Sequence, residues 1–142
     1  MHHLINKTVY SFINAICCNL AHGFNTRMNG IKNMAIYGKM LEAWNNRDVD
    51  AYWACLHDEW EMTWHSTGKV TDRTFLTAEQ MKAIMESSNM REQRCIYEND
   101  DILVQHMKAD YANGTKDATM HVSLKKDGLL WRTETGVTSI KT

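Results

Sequence analysis

Arg94-Cys-Ile-Tyr-Glu-Asn-Asp-Asp-Ile-Leu-Val-Gln-His-Met-Lys-Ala-Asp-Tyr-Ala-Asn-Gly-Thr-Lys-Asp-Ala-Thr-Met-His-Val-Ser-Leu-Lys-Lys-Asp-Gly-Leu-Leu-Trp-Arg-Thr-Glu-Thr-Gly-Val-Thr138 decides the fold. Strand-like segments alternate here with three two-residue turn signals: Asn99-Asp100, Asn113-Gly114 and Asp127-Gly128. Asn-Gly and Asp-Gly supply the positive φ angles of a tight type I′ hairpin. The stretch therefore predicts a four-stranded antiparallel meander, with the upstream chain covering one of its faces.

Two-residue loops fix a register. Ala112 then faces Thr115, His106 faces His121, Leu124 faces Trp131 and His121 faces Glu134. Successive side chains alternate faces. One face is expected to carry Leu103, Gln105, Met107, Ala109, Tyr111, Ala118, Met120, Val122, Leu124, Trp131, Thr133, Thr135 and Val137. The other carries Ile102, Val104, His106, Lys108, Asp110, Asp117, Thr119, His121, Ser123, Arg132 and Glu134. The first set is mostly apolar and is assigned to the buried, concave side. Extended through Asn99-Asp100, the same count turns Ile96 and Arg94 inward, with Arg94 opposite Gln105.

The chain of 142 residues has room for one sizeable core, and its formal charge of −1 with no basic stripe argues against nucleic acid as a partner. No apolar run is long enough to span a membrane. Cys17, Cys18, Cys55 and Cys95 lack metal-ligand spacing and read as reduced thiols, so a cytoplasmic setting is expected. No cofactor is expected.

Residues 1–31 differ from the rest and read as an N-terminal extension: an extra short helix, a non-native start ahead of Met28 or Met34, or a weak secretion signal. The domain proper is expected over 32–142. Tyr37, Met40, Leu41 and Trp44 recur at helical spacing. Asp48 is suited to N-cap a short second helix with Val49, Tyr52, Trp53 and Leu56 inside. Trp60, Met62 and Trp64 alternate as a strand, and Thr67-Gly68 turns into another. Thr77-Ala-Glu-Gln80 is a capping-box signature for a third helix presenting Met81, Ile84, Met85 and Ser88.

Helix, helix, strand pair, helix and meander, in that order, resemble the NTF2-like (SnoaL-like, cystatin-like α+β cone) superfamily over Asn33 to Lys141. The most telling pieces are Ala43-Trp-Asn-Asn-Arg-Asp-Val-Asp-Ala-Tyr52, Cys95-Ile-Tyr-Glu-Asn-Asp-Asp-Ile-Leu-Val104 and Lys126-Asp-Gly-Leu-Leu-Trp-Arg-Thr-Glu-Thr-Gly136. The last two look like an uncharacterised bacterial subgroup. The resemblance implies an α+β fold, a curved antiparallel sheet wrapped around three helices as a cone with an internal pocket. It does not imply one activity, because this fold hosts isomerases, dehydratases, hydrolases and non-catalytic binding modules. The ketosteroid isomerase pattern is not matched: its base falls at Trp64 or His65, its helix tyrosine at Met40 and its strand aspartic acid at Met120.

Two function classes follow. In one, a homodimeric binding protein holds a hydrophobic or carboxylate-bearing small molecule, with Trp44, Tyr52, Trp64, Arg94, Gln105, Met107, Met120, Trp131 and Thr133 as ligand-binding residues. In the other, a small isomerase, dehydratase or hydrolase uses His65 as general acid/base and Arg94 as anion anchor. Met81 belongs to the same lining. His106, His121, Glu134 and Arg132 lie on the expected polar face as dimer-interface residues, with a solvated face or a metal site as the competing readings. No nucleic acid or membrane partner is expected.

Overall fold

The computed structural model describes residues 35–141; the expected extension over residues 1–31 lies outside them. The described chain forms α1 (Ile36–Asn46), α2 (Val49–Trp53), β1 (Leu56–Trp64), β2 (Val70–Asp72), α3 (Ala78–Ser87), β3 (Asn89–Glu98), β4 (Ile102–Asp110), β5 (Lys116–Lys126) and β6 (Leu129–Ser139). This is the expected element order, with Leu56 starting β1 rather than ending α2.

Local signals explain the helices. α1 presents Ile36, Met40 and Ala43 to the core at positions four and three apart. It ends at Arg47, whose left-handed φ of 59° is held by guanidinium hydrogen bonds to the Trp44 and Asn45 carbonyls. Asp48 caps α2 by accepting from the Ala51 amide at 2.9 Å. The capping box of α3 is complete: the Gln80 amide donates to Thr77 Oγ1, and the Thr77 amide to Gln80 Oε1.

The six strands form one open, curved sheet in the order β2-β1-β6-β5-β4-β3. β1 runs parallel to β6, and every other neighbouring pair is antiparallel. The Asp127-Gly128 turn is the expected two-residue loop, with φ angles of 54° and 75° and Lys126 paired to Leu129.

The Asn113-Gly114 turn is not. Here the loop has an extra residue: Tyr111 and Thr115 face each other, and only Gly114 has positive φ, at 85°. This is the three-residue hairpin in which a type I turn is followed by a left-handed glycine. It slips β5 by one residue, so His106 pairs with Met120 and Gln105 with His121. A bulge at Trp131 then reverses the slip, because Lys125 pairs with Leu130 but Leu124 with Arg132. β4 and β6 therefore keep the expected facing while β5 is inverted. Ser123 is 0% exposed and Thr119 buried, whereas Met120, Val122 and Leu124 are 42%, 36% and 47% exposed.

β3 also departs from expectation. Residues 99–102 connect Glu98 to its partner Leu103, with Asn99 Oδ1 accepting from the Asp101 and Ile102 amides. Two bulges follow, one including Glu92 at a φ of 52°. Arg94 consequently pairs with His106 rather than Gln105, and both Arg94 and Ile96 are exposed.

The core joins Ile36 and Met40 of α1, Cys55 and Leu56, Leu103 of β4 and Leu130 of β6. One long-range contact fixes α1 to the sheet. Ala35 at its N-cap provides no side-chain bond, and Glu98 at the end of β3 accepts from the Ile36 amide at 2.8 Å and the Tyr37 amide at 3.3 Å. A carboxylate at a helix N-terminus also meets the positive end of the dipole. Lys125 of β5 completes the clamp at 2.6 Å, with both side chains nearly buried. Glu98→Ala strands the ammonium and uncaps α1, so urea unfolding should show a loss of about 3 kcal/mol or more. Lys125→Met leaves Glu98 its two amide donors and should cost less.

Candidate functional site

Between the helices and the sheet lies a cavity of about 340 Å³. Its walls are apolar and aromatic, with Tyr37, Leu41 and Trp44 from α1 and Tyr52 and Trp53 from α2. Trp60, Met62 and Trp64 come from β1. Trp44 and Tyr52 meet edge to face, ring centres 5.9 Å apart. Burial pushes the Tyr52 phenol up to about 12, so it stays a neutral hydroxyl.

The middle of the sheet gives the cavity a different floor. The inversion of β5 brings Thr119, His121 and Ser123 to the same side as Gln105 of β4 and Thr133 and Thr135 of β6. Two of these groups satisfy each other: Trp60 Nε1 donates to Thr133 Oγ1 at 3.0 Å, and the Ser123 hydroxyl lies 2.9 Å from the same oxygen. Gln105 Nε2 stands 3.4 Å from His121 Nδ1. With the amide oriented this way the imidazole nitrogen accepts, and the ring proton sits on Nε2. Burial drives the His121 pKa down to about 4, so the ring is neutral at physiological pH. Its cross-strand neighbour Thr135 is 1% exposed, and its Oγ1 has no hydrogen-bond partner among the described residues. The Tyr37 hydroxyl is likewise buried and unpartnered.

Of the expected ligand-binding positions, Trp44, Tyr52, Trp64, Gln105, Met107 and Thr133 line this cavity, as does Met81. Arg94, Met120 and Trp131 do not. Arg94 is displaced by the β3 bulges, and Met120 points outward with the rest of its face of β5. Trp131 is the bulged residue, packed instead under the Lys126 ammonium and the Arg132 guanidinium, 5.5 and 4.3 Å from its ring.

His65 lies outside the cavity as well. It is exposed and bonded to Glu134 at 2.8 Å. The expected row of His106, His121 and Glu134 is broken up: Glu134 pairs with His65, and His121 faces inward and is not free for a subunit contact. His106 pairs with exposed Met120, contributes to the cavity lining, and has a buried Nδ1 without a partner among the described residues. Arg132 keeps its outer position, bonded to the Glu59 carbonyl and 3.5 Å from Glu61. No cluster of three metal-ligating side chains occurs among the described residues. No described helix is long and apolar enough to cross a membrane.

Sequence reasoning missed the floor residues Thr119, His121 and Ser123, together with Gln93; it turned Thr135 and Tyr37 inward without assigning them to the site. Gln93 reaches the lining because the bulge at Glu92 breaks the alternation of β3. The signal for β5 was the glycine itself: Ala112-Asn113-Gly114 suits a three-residue loop as well as Asn113-Gly114 suits a two-residue one.

No family model matches the chain, and no curated protein matches it. Solved structures do. An NTF2-like protein of unknown function from Burkholderia xenovorans matches with a TM-score of 0.57 and 14% identity, over 75% of this chain and 83% of its own. One from Cytophaga hutchinsonii gives 0.57 and 14%, over 75% and 100%. Another, from Burkholderia pseudomallei, gives 0.51 and 16%, over 74% and 89%. Identities this low speak to architecture alone. On its element order, its strand order and these matches, the chain has the NTF2-like (SnoaL-like) fold.

Proposed function

We propose that this NTF2-like domain binds a small, uncharged, largely apolar molecule in the cone, and does so as a homodimer. The observation that carries the ligand reading is the pairing of apolar walls with a buried polar floor whose Thr135 hydroxyl lacks a partner among the described residues. An unpaired buried hydroxyl costs about 1–3 kcal/mol, a cost that a bound partner removes. Charge argues against an anionic ligand. Arg94 is outside, His121 is neutral, and Arg73, which does line the cavity, already holds Asp58 at 2.6 Å. The position of His65 gives the catalytic alternative no support.

The dimer reading rests on the outer face of β5. Met120, Val122 and Leu124 are exposed in a row there, beside their cross-strand neighbours Val104 and Ile102. A contiguous apolar patch on a sheet face is a common mark of a subunit contact. His106, Glu134 and Arg132 border it through their pairings with Met120, Val122 and Leu124.

Native mass spectrometry of the purified protein tests the ligand reading. A neutral lipophilic adduct of one per chain, removed by organic extraction, is expected; a chain that neither carries nor takes up such a molecule sinks it. For the dimer, Val122→Glu should convert a dimer to monomer in sedimentation equilibrium while leaving the circular dichroism spectrum unchanged.

His121 sets a pH dependence. The unfolded chain takes up its proton near 6.5, the folded chain only near 4. The unfolded state therefore binds more protons across that window, and stability must fall as pH drops from 6.5 towards 4. At about 1.4 kcal/mol per pH unit, the contribution is on the order of 3 kcal/mol. Denaturant melts between pH 4 and 7 should show this slope, and His121→Leu should flatten it.

A further inference from the structure

We propose that the cavity is strict at one end of its ligand and tolerant at the other: the floor selects a neutral hydrogen-bond acceptor such as a ketone, while the walls accept apolar bodies of differing shape. The inference rests on the ligand-binding reading above and adds the chemical class.

The floor is strict because two of its free donors, on His121 and Thr135, stand on neighbouring strands that the sheet holds in place. The Gln105 amide donates to His121 Nδ1, so the Nε2–H is the imidazole's free donor. Thr135, its cross-strand partner on β6, adds a hydroxyl that no other described residue engages. The neighbouring Ser123 and Thr133 hydroxyls are already tied to each other and to Trp60. A ligand oxygen seated between His121 and Thr135 satisfies both. A ligand without one leaves two polar groups buried and unpaired, the situation in which sites discriminate most sharply.

The walls are tolerant because of what they are made of. Met40, Met62, Met81, Met90 and Met107 all line the cavity. Methionine is unbranched and polarisable, and it adapts its rotamers to irregular shapes at little cost. At the exposed end of the lining stand Phe75, Ile84, Tyr111 and Val137, between 37% and 46% exposed. These apolar side chains share that end with Asp72 and with Arg73, whose guanidinium already holds Asp58. A molecule entering oxygen first leaves its hydrocarbon end among side chains of its own kind.

The test uses matched probes: 4-butyl-, 4-tert-butyl- and 4-phenylcyclohexanone, each beside the isostere whose oxygen is replaced by an exocyclic methylene. Affinities are measured by competition with a neutral fluorescent dye and divided by each probe's water-to-hexadecane partition coefficient. On that scale every ketone should exceed its isostere by about tenfold or more, and the three ketones should agree within about fivefold. Thr135→Val and His121→Leu should each weaken ketones about tenfold and leave the methylene probes unchanged. Should one variant fail to fold, the other and the wild-type comparison still decide. Isosteres binding as well as ketones, or variants that weaken both equally, overturn the selectivity while the binding reading stands. A spread among ketones above about fiftyfold overturns the tolerance of the walls. Binding of no probe overturns both readings.

Discussion

β5 can turn Thr119, His121 and Ser123 inward only because two irregularities of opposite effect stand at its ends. The left-handed Gly114 adds a residue to the first hairpin, and the bulge at Trp131 removes the offset before β6 pairs along its length. Side chains in a strand alternate with a period of two, so a single residue of slip exchanges both faces at once. Without the first irregularity the cavity floor would be Met120, Val122 and Leu124, and the sheet exterior would be Thr119, His121 and Ser123. The fold would survive such a change of register, but the site would not.

The Glu98–Lys125 clamp makes that sheet geometry felt by the helices. Glu98 ends β3, Lys125 sits beside the Trp131 bulge on β5, and both converge on the first turn of α1. α1 lacks a cap of its own at Ala35. Its start is therefore set by the strands, and with it the placing of Tyr37, Leu41 and Trp44 over the floor. A buried ion pair adds little net stability over an apolar pair, but breaking it leaves an uncompensated charge, so a shift that parts Glu98 from Lys125 is penalised.

The architecture was legible in the sequence because its signals are local and independent. The capping box at Thr77, the N-cap at Asp48 and the Asp127-Gly128 turn each act within a few residues, and each is realised. Gln105, Thr133 and Thr135 were turned inward correctly, but the part of the floor that β5 supplies was not legible, for two reasons. The sequence Ala112-Asn113-Gly114 supports two loop lengths that differ by one residue, and only pairing along the whole of β4 and β5 chooses between them. The rule that apolar side chains go inside then chose the wrong face. That rule fails here because β5 is apolar where it meets the outside and polar where it meets the cavity. Arg94 and Trp131 were misplaced for the related reason that bulges leave no strong mark in sequence.

The double bulge of β3 has a consequence for how copies of this protein meet. Among the described residues β3 is an edge of the sheet, and Ile96 and Tyr97 on it are 49% and 53% exposed. A long, flat edge of that composition invites backbone pairing with a neighbouring chain and, from there, open-ended growth into fibrils. Two offsets within ten residues spoil the regular spacing of amides and carbonyls that such templating requires. The same distortion that swings Arg94 away from the interior thus guards the rim of the sheet against aggregation.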